Sequence, residues 1–303
     1  MTKTHLTVWR LMDGKLGHEK QSQGLIQGLE TLSTLTTHNL VLSGNLIHRL
    51  KQTVQFARQL RAQNRPQLLI GAGHRTHLPL ILAKKLSGGL NIVLMKPSLP
   101  ARCFDFSLIP AHDQARDAAH IIATEGALAP IKIMPKNPQK GIILIGGLDK
   151  RVVWNSAEVW RQVNAICTKN KNIHWQLTTS RRTPDSFLNN APEHKNLELN
   201  PWQKTEKNWL LEQLAESSFC WVSQDSVSML YEALGAQNKV GIIELERKNS
   251  DDKISRNVAR LIKNKFVTPF STWQNSMQLT APPKQFQEHI RCAEIIMKKL
   301  NSK

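Results

Sequence analysis

Short apolar runs that end in a glycine or polar turn and open directly into a helical pattern recur from one end of this chain to the other. That alternation limits the fold more than any other feature. Residues 6–11 form the first run, Asp13-Gly14-Lys15-Leu16-Gly17-His18-Glu19 the turn, and Leu25, Ile26 and Leu29 keep helical spacing across 19–32. The unit returns at 67–70, where Gly71-Ala72-Gly73 stops a strand and a helix follows over 76–86, closed by Gly88-Gly89. Further short strands are expected at 39–42, 91–95 and 106–109, and a basic amphipathic helix at 46–61. Residues 130–140 carry three prolines and three lysines without periodicity and read as a linker. The pattern then restarts. Strands at 141–145, 173–177, 219–222 and 239–244 alternate with helices at 156–168, 206–217, 226–234 and 254–264, and a last amphipathic helix covers 283–300. Such repetition argues for the α/β class with parallel, doubly wound sheets. The expected architecture is two Rossmann-like domains, 1–133 and 134–303, facing each other across a cleft, with the C-terminal helix packing back on the N-terminal domain.

Composition excludes several classes. The chain has 303 residues, 40% apolar and 21% charged, enough to bury a core in each of two domains. No apolar run reaches the roughly 18 residues of a spanning helix; residues 78–95 come nearest and are broken by Lys84, Lys85, Ser87, Gly88 and Gly89. Asp13 arrives before any apolar h-region develops, which argues against a signal peptide. Cys103, Cys167, Cys220 and Cys292 lack CxxC spacing, so neither a metal site nor a disulfide framework is expected, and a reducing, cytoplasmic location fits. The net charge is +18, and residues 1–100 hold thirteen Lys and Arg against Asp13, Glu19 and Glu30 alone. A basic half implies polyanionic company: a phosphorylated substrate, an anionic membrane surface or nucleic acid. Nucleic acid ranks last, because no helix-turn-helix, zinc-finger or RNP signature is present.

Five segments carry candidate chemistry. In the first turn Gly14 and Gly17 permit a close backbone approach, Lys15 and Lys20 offer charge to an anion, and His18 and Glu19 are the candidate bases. A plain βα turn with a solvated histidine would read the same way. Gly73-His74-Arg75-Thr76 repeats the construction, with His74 and Arg75 at a helix mouth, where Arg75 could grip a phosphate or carboxylate and Thr76 could serve as the N-cap. Gly146 and Gly147 make a third glycine turn, suited to a phosphate-facing loop. Thr178 to Thr183 gathers hydroxyls and guanidiniums, among them Ser180 and Arg181, at one strand end. In Gln224 to Ala233, Asp225, Ser226 and Ser228 stand at a helix start and Glu232 lies further along the same face, where a carboxylate can bind a ribose diol. Phe104-Asp105-Phe106 and His112-Asp113 bracket another strand, with structural and functional roles equally open.

These segments together resemble the mitochondrial-fission "elongated mitochondria" family, which also has bacterial members. The resemblance rests on DGKxGHExQ, GAGHRTHLPL, LMKPSLP followed by FD, PxHD, LIGG, TTSRRTP and QDSVSMLYEA, in that order, over residues 8–245. That family in turn is similar to the two-domain GT-B glycosyltransferases. The first turn is similar to the acceptor-side glycine loop of the peptidoglycan N-acetylglucosaminyltransferase, and the serine-rich turn running into Glu232-Ala233 to a nucleotide-sugar site. The resemblance implies an acceptor-binding N-terminal half (Gly14, Lys15, Gly17, His74 and Arg75) with His18 or Glu19 as catalytic base. It implies a donor-binding C-terminal half (Gly146, Gly147, Ser180, Arg181, Asp225, Ser226, Ser228 and Glu232), and inverting transfer without metal or cofactor. Gly235-Ala236-Gln237-Asn238-Lys239 departs from the glycine-and-proline turn usual after that helix.

The function expected is therefore transfer of a sugar from a nucleotide-sugar donor to a cell-envelope acceptor, at the inner face of the membrane. Two alternatives stand beside it. One is a nucleotide-sugar epimerase on the same fold, and the other a non-enzymatic scaffold at a membrane surface, supported by the net charge and the basic helix at 46–61.

Overall fold

The structure is a computed structural model and describes residues 4–110, 115–126, 128–130, 132–206, 208–248 and 252–302. Two compact units make up the chain, Met1–Pro130 with Gln287–Lys303, and Ile131–Phe286.

In the first unit the strands are β1 (His5–Met12), β2 (Thr34–Val41), β3 (Leu68–Ala72), β4 (Leu90–Leu94), β5 (Phe106–Pro110) and β6 (Ile121–Thr124). Helices α1 (Leu16–Leu32), α2 (Leu46–Leu60) and α3 (His77–Ser87) connect them. The sheet order is β2-β1-β3-β4-β5-β6, with every pair parallel. The chain moves outward from β1 to β2, then crosses back to lay β3 on the other side, so the order reverses between β1 and β3. Alternate residues of β1 feed opposite faces: Leu6 and Val8 pack with α1, Trp9 and Leu11 with α2 and α3. Burial on both faces explains why these strands read as continuous apolar runs.

In the second unit the strands are β7 (Asn137–Leu144), β8 (Val152–Val153), β9 (His174–Thr178), β10 (Leu197–Asn200), β11 (Ser217–Ser223), β12 (Lys239–Ile243), β13 (Glu246–Arg247) and β14 (Val267–Pro269). The helices are α4 (Ser156–Lys169), α5 (Trp209–Glu216), α6 (Val227–Gly235), α7 (Lys253–Lys263) and α8 (Phe270–Ser276). The main sheet runs β10-β9-β7-β11-β12-β14, all parallel, and reverses between β7 and β11. Strands β8 and β13 pair separately and antiparallel. The α/β class with parallel sheets is as expected from sequence.

The last helix, α9 (Glu288–Asn301), packs on the first unit as anticipated. Cys292, Ala293 and Ile296 join the core beneath β1 and β3. It crosses α1 where Gly28 leaves no room for a Cβ against the His289 carbonyl, which is why a glycine is tolerated inside that helix.

Several boundaries differ from the sequence reading, each for a local reason. Helix α1 begins at Leu16 instead of residue 19, so Gly17, His18 and Glu19 sit in its first turn, with His18 and Glu19 amides donating to the Lys15 carbonyl. Strand β7 starts inside the expected linker, because its exposed first half pairs with β11 across a register shift. Strands β6, β8, β10, β13 and β14 and helix α8 lie where periodicity offered no signal.

Candidate functional site

In open α/β sheets, ligands bind outside the carboxyl ends of the strands where the strand order reverses. Each unit gathers its motif residues at that place.

In the first unit the turn after β1 meets the turn after β3. Asp13, whose side chain is fully buried, holds His18 Nδ1 at 2.9 Å, and the histidine side chain is 17% exposed. Asp13 Oδ1 also accepts from the Lys15 amide at 3.2 Å, which fixes the carboxylate. The His18 ring lies against Gly73, whose φ of +83° and absent Cβ are both required there. A carboxylate on Nδ1 fixes the orientation of the ring and leaves Nε2 on its far side. Gly14 and Gly17 have open space where a Cβ would project, so a ligand can reach the backbone beside His18.

The two candidate bases separate here. Glu19 contributes its carbonyl, which accepts from Arg10 Nη2 at 2.6 Å and from Ser22 Oγ, while Arg10 also bonds Ser22 and Gln23 beneath the helix. Burial holds the Arg10 guanidinium below its ordinary pKa, with Glu19 opposing that shift. His74 and Arg75 are exposed in a single tight turn, and the Arg75 carbonyl accepts from Arg49 Nη1 at 3.1 Å. Thr76 occupies the position before α3, but its hydroxyl donates to the Gly73 carbonyl at 2.8 Å and buttresses the turn in place of capping. Asp105 is structural: its carboxylate takes Lys84 Nζ at 2.6 Å and the Asn91 amide at 2.9 Å. His112 and Asp113 lie outside the described residues.

The second unit brings together the turns after β7, β9 and β11. Asp225, with a fully buried side chain, accepts from the Gly147 amide at 3.0 Å and from Ser223 Oγ at 2.7 Å, and pairs with Arg182 Nη2 at 2.8 Å. Ser223 Oγ in turn accepts from the Gly146 amide at 2.7 Å. Gly146 has no Cβ because the Asp225 carboxylate occupies that space, and Gly147 abuts the Arg182 carbonyl. Both amides are thus committed to protein partners, so this glycine turn is a packing device more than a phosphate cradle. Ser180 Oγ likewise donates to the Gly146 carbonyl at 2.7 Å.

Charge around this knot is balanced unevenly. Asp149 takes a two-point grip from Arg151 at 2.6 Å on each oxygen and lies 3.7 Å from Arg182 Nη1. The Arg151 bonds hold the Asp149 carboxyl well below the usual carboxylate range, and Asp149 raises Arg151 in return. Arg181 is exposed and sits over the Trp202 ring, 5.5 Å from its centroid. Trp202, 37% exposed, follows β10 beside a cavity of about 350 Å³ that Thr179, Thr183 and Pro184 also line. Helix α6 begins at Val227 without a side-chain cap; Ser226 is buried before it, Ser228 is exposed in its first turn, and Glu232 is half-buried in its second.

The sequence reading singled out His18, Glu19, Arg181 and the Asp225 turn, but missed the roles of Asp13, Arg182 and Trp202. Asp13 and Arg182 stood inside quoted motifs; Asp13 meets His18 within its own turn, whereas only strand adjacency reveals Arg182's partner Asp225. Trp202 follows a strand that no periodicity announced. Among the described residues, no group of three or more His, Cys, Asp or Glu side chains comes together as a metal site would.

Comparison with known proteins gives these geometries a setting. The chain is 24% identical over 288 residues to uncharacterized protein RP120 of Rickettsia prowazekii (strain Madrid E), covering 75% of this chain and 80% of that one. Its fold matches the UDP-GlcNAc 2-epimerase of Methanocaldococcus jannaschii at a TM-score of 0.61 and 11% identity, over 97% of this chain and 100% of that one. It also matches UGT2 of Phytolacca americana, solved with UDP-2fluoro-glucose and pterostilbene, at a TM-score of 0.54 and 8% identity, over 100% and 94%. The fold is therefore one that nucleotide-sugar enzymes use, glycosyltransferases and epimerases alike. The profile of the family described as Mitochondrial fission ELM1 matches residues 16–300. The chain belongs to the Mitochondrial fission ELM1 family.

Proposed function

We propose that this protein is a glycosyltransferase that moves a sugar from a nucleotide-sugar donor to a hydroxyl acceptor of the cell envelope, with inversion and without a metal. The observation that carries this reading is the Asp13–His18 pair, built where the first sheet reverses its strand order. His18 Nε2 takes the proton of the acceptor hydroxyl, and buried Asp13 holds the ring and its developing charge. His18 is favoured over Glu19 because the buried Asp13 carboxylate holds its ring.

The donor belongs to the second unit. The nucleobase stacks on Trp202 under Arg181, Arg181 and the first turn of α6 at Ser228 hold the phosphates, and Glu232 binds the ribose. Developing negative charge on the leaving diphosphate is met by these fixed groups, as electrostatic preorganisation requires. The knot of Asp225, Ser223, Ser180, Gly146 and Gly147 positions those turns.

The acceptor side has a distinctive rim. The exposed large apolar side chains described in the first unit are Leu16, Val41, Leu46, Ile47 and Leu78, with Ile47 at 66%. All lie at the carboxyl ends of β1, β2 and β3 or in the helix turns that follow. Lys15, Lys20, Lys51, His74 and Arg75 are exposed among them, whereas Asp13 is buried. Apolar tips among cations suit an acceptor met at an anionic membrane surface. Ile47→Glu should then release the protein from vesicles containing anionic lipid, read by co-sedimentation; equal binding by that variant refutes the membrane part of the reading.

The central test is a thermal-shift screen against nucleotides and nucleotide sugars, because a ligand that binds only the folded state raises its stability by about 2.7 kcal/mol at one hundred times its dissociation constant. A shift with one base, lost in Trp202→Ala and in Glu232→Ala, supports the donor site. No shift with any nucleotide sinks it. Incubation of the bound nucleotide sugar without acceptor separates transfer from epimerisation, since an isomerised sugar would identify an epimerase.

A further inference from the structure

The turns after β9 and β10 are neighbours because Thr178 pairs with Asn200 at the ends of those strands. The Trp202 amide donates to Thr179 Oγ1 at 3.2 Å and ties one turn to the other. The cavity of about 350 Å³ beside Trp202 lies at this junction. An apolar cavity of about 150 Å³ accepts benzene, so a two-ring base has room here.

Both turns are held in place. The Lys204 amide donates to the Pro201 carbonyl at 2.8 Å, and Thr205 Oγ1 donates to the Trp202 carbonyl at 3.0 Å. The other wall is a six-residue helical turn, Asp185–Asn190, pinned by Phe187. Phe187 is fully buried, its ring stacks on Trp160 at 4.5 Å, and its carbonyl accepts from the Trp160 indole N–H at 2.9 Å. Asp185 therefore stands on a fixed piece of backbone.

The polar side chains that line the cavity divide into committed and free. Thr179 accepts from the Trp202 amide, and Thr183 Oγ1 accepts from the Ser180 amide at 2.9 Å and donates to the Gly146 carbonyl. Asp185, Gln203 and Lys204 are exposed, and their side chains make no hydrogen bond or ion pair with other described residues. Asp185 is the one acid and Lys204 the one cation among the described lining residues.

A carboxylate offers two acceptor oxygens and no donor. Guanine presents two adjacent donors, N1–H and the 2-amino group, with the O6 acceptor beside them. Uracil sets a single N–H between two carbonyls, which carboxylate oxygens repel. Adenine and cytosine place an acceptor ring nitrogen next to their amino group. Guanine alone among these bases meets both carboxylate oxygens with donors. An amide such as Gln203 carries both donor and acceptor and suits any base edge, so discrimination falls to Asp185.

We propose that Asp185 selects the base and that the donor is a guanine nucleotide, with N1–H and the 2-amino group on the Asp185 carboxylate and Lys204 serving O6. This rests on the reading of the cavity as the nucleobase end of the donor site, and adds which base it takes.

The test is calorimetric titration of the full chain with GDP, UDP, ADP, CDP and xanthosine diphosphate. GDP should bind about tenfold to a hundredfold more tightly than UDP, ADP or CDP. Asp185→Asn should weaken GDP by a similar factor. The same variant should bind xanthosine diphosphate more tightly than the unaltered chain does, because xanthine carries a carbonyl where guanine has its amino group and the asparagine amide donates to it. A variant that failed to fold could not gain affinity. Preference for uracil, adenine or cytosine overturns the guanine assignment and leaves the donor site standing. GDP affinity unchanged in Asp185→Asn overturns the role given to Asp185. Binding by none of the five removes the donor site and this proposal with it.

Discussion

In the proposed reaction His18 works with Asp13, a neighbour five residues back that it contacts at 2.9 Å, and the chemistry of the pair is separable from its packing. His18→Gln keeps a polar side chain in the turn but cannot cycle a proton. Turnover should fall about 10²- to 10⁴-fold with little change in nucleotide affinity. Asp13→Asn should cost a comparable factor by disturbing ring orientation and charge. A steady-state assay with the thermal-shift donor separates the two effects, since a merely structural role for Asp13 would move the melting temperature more than turnover. Asp225 poses the opposite case. Asp225→Ala strips an acceptor from Gly147 and Ser223 and the partner from Arg182, so a loss of about 2–3 kcal/mol is expected in urea unfolding. A loss of nucleotide binding without that stability loss would assign Asp225 to the ligand in place of the scaffold.

At the scale of elements, glycines set inter-strand geometry. Trp175 covers Gly141 and Trp221 covers Gly241, so each indole uses the room that its partner's missing side chain leaves. Gly141→Ala should cost about 1–3 kcal/mol by overpacking, and Trp175→Leu in the same chain should recover part of it, a non-additivity that a double-mutant cycle measures. Helix α9 obeys the same logic against α1 at Gly28. Two buried histidines tie elements of the first unit to pH. His77, against Ser98 and Phe104, and His289, in α9, are held below the ordinary value of 6.5, by burial first, with His74 adding to the effect at His77 and Glu288 opposing it at His289. The unfolded chain therefore binds more protons than the folded one just below that value. Stability should rise with pH through the window that ends near 6.5, and fall as pH drops below it. Urea midpoints measured from pH 5 to pH 8 check this, and His289→Gln should flatten the slope.

For the molecule as a whole, the two units have separate cores, and the chain's last helix belongs to the first of them. Deleting 287–303 should destabilise the first unit, because Cys292, Ala293 and Ile296 leave its core, and should spare the second. Calorimetry of the truncated chain should then retain one transition, which nucleotide still shifts. If both units lose their transitions together, they fold as one cooperative block and the division is only geometric.

Much of this was legible without coordinates. Apolar runs ending in glycine turns determined the α/β class and parallel sheets, because period and punctuation are local properties. The motif segments 13–19 and 71–76 in the first half, and 146–147, 178–183 and 224–228 in the second, all lie where strands end. Short elements escaped, since β6, β10 and β14 are too brief to carry a period. The tertiary structure alone decided which turns are neighbours. Strand order sets β3 beside β1 and β11 beside β7, and that order places Gly73 under His18 and Asp225 against Gly146. Hydrogen-bond commitment was equally out of reach, because an amide's partner depends on chain folded back from far along the sequence. For that reason Gly146 and Gly147 read as a phosphate loop on paper, while in the fold their amides are committed to Ser223 and Asp225.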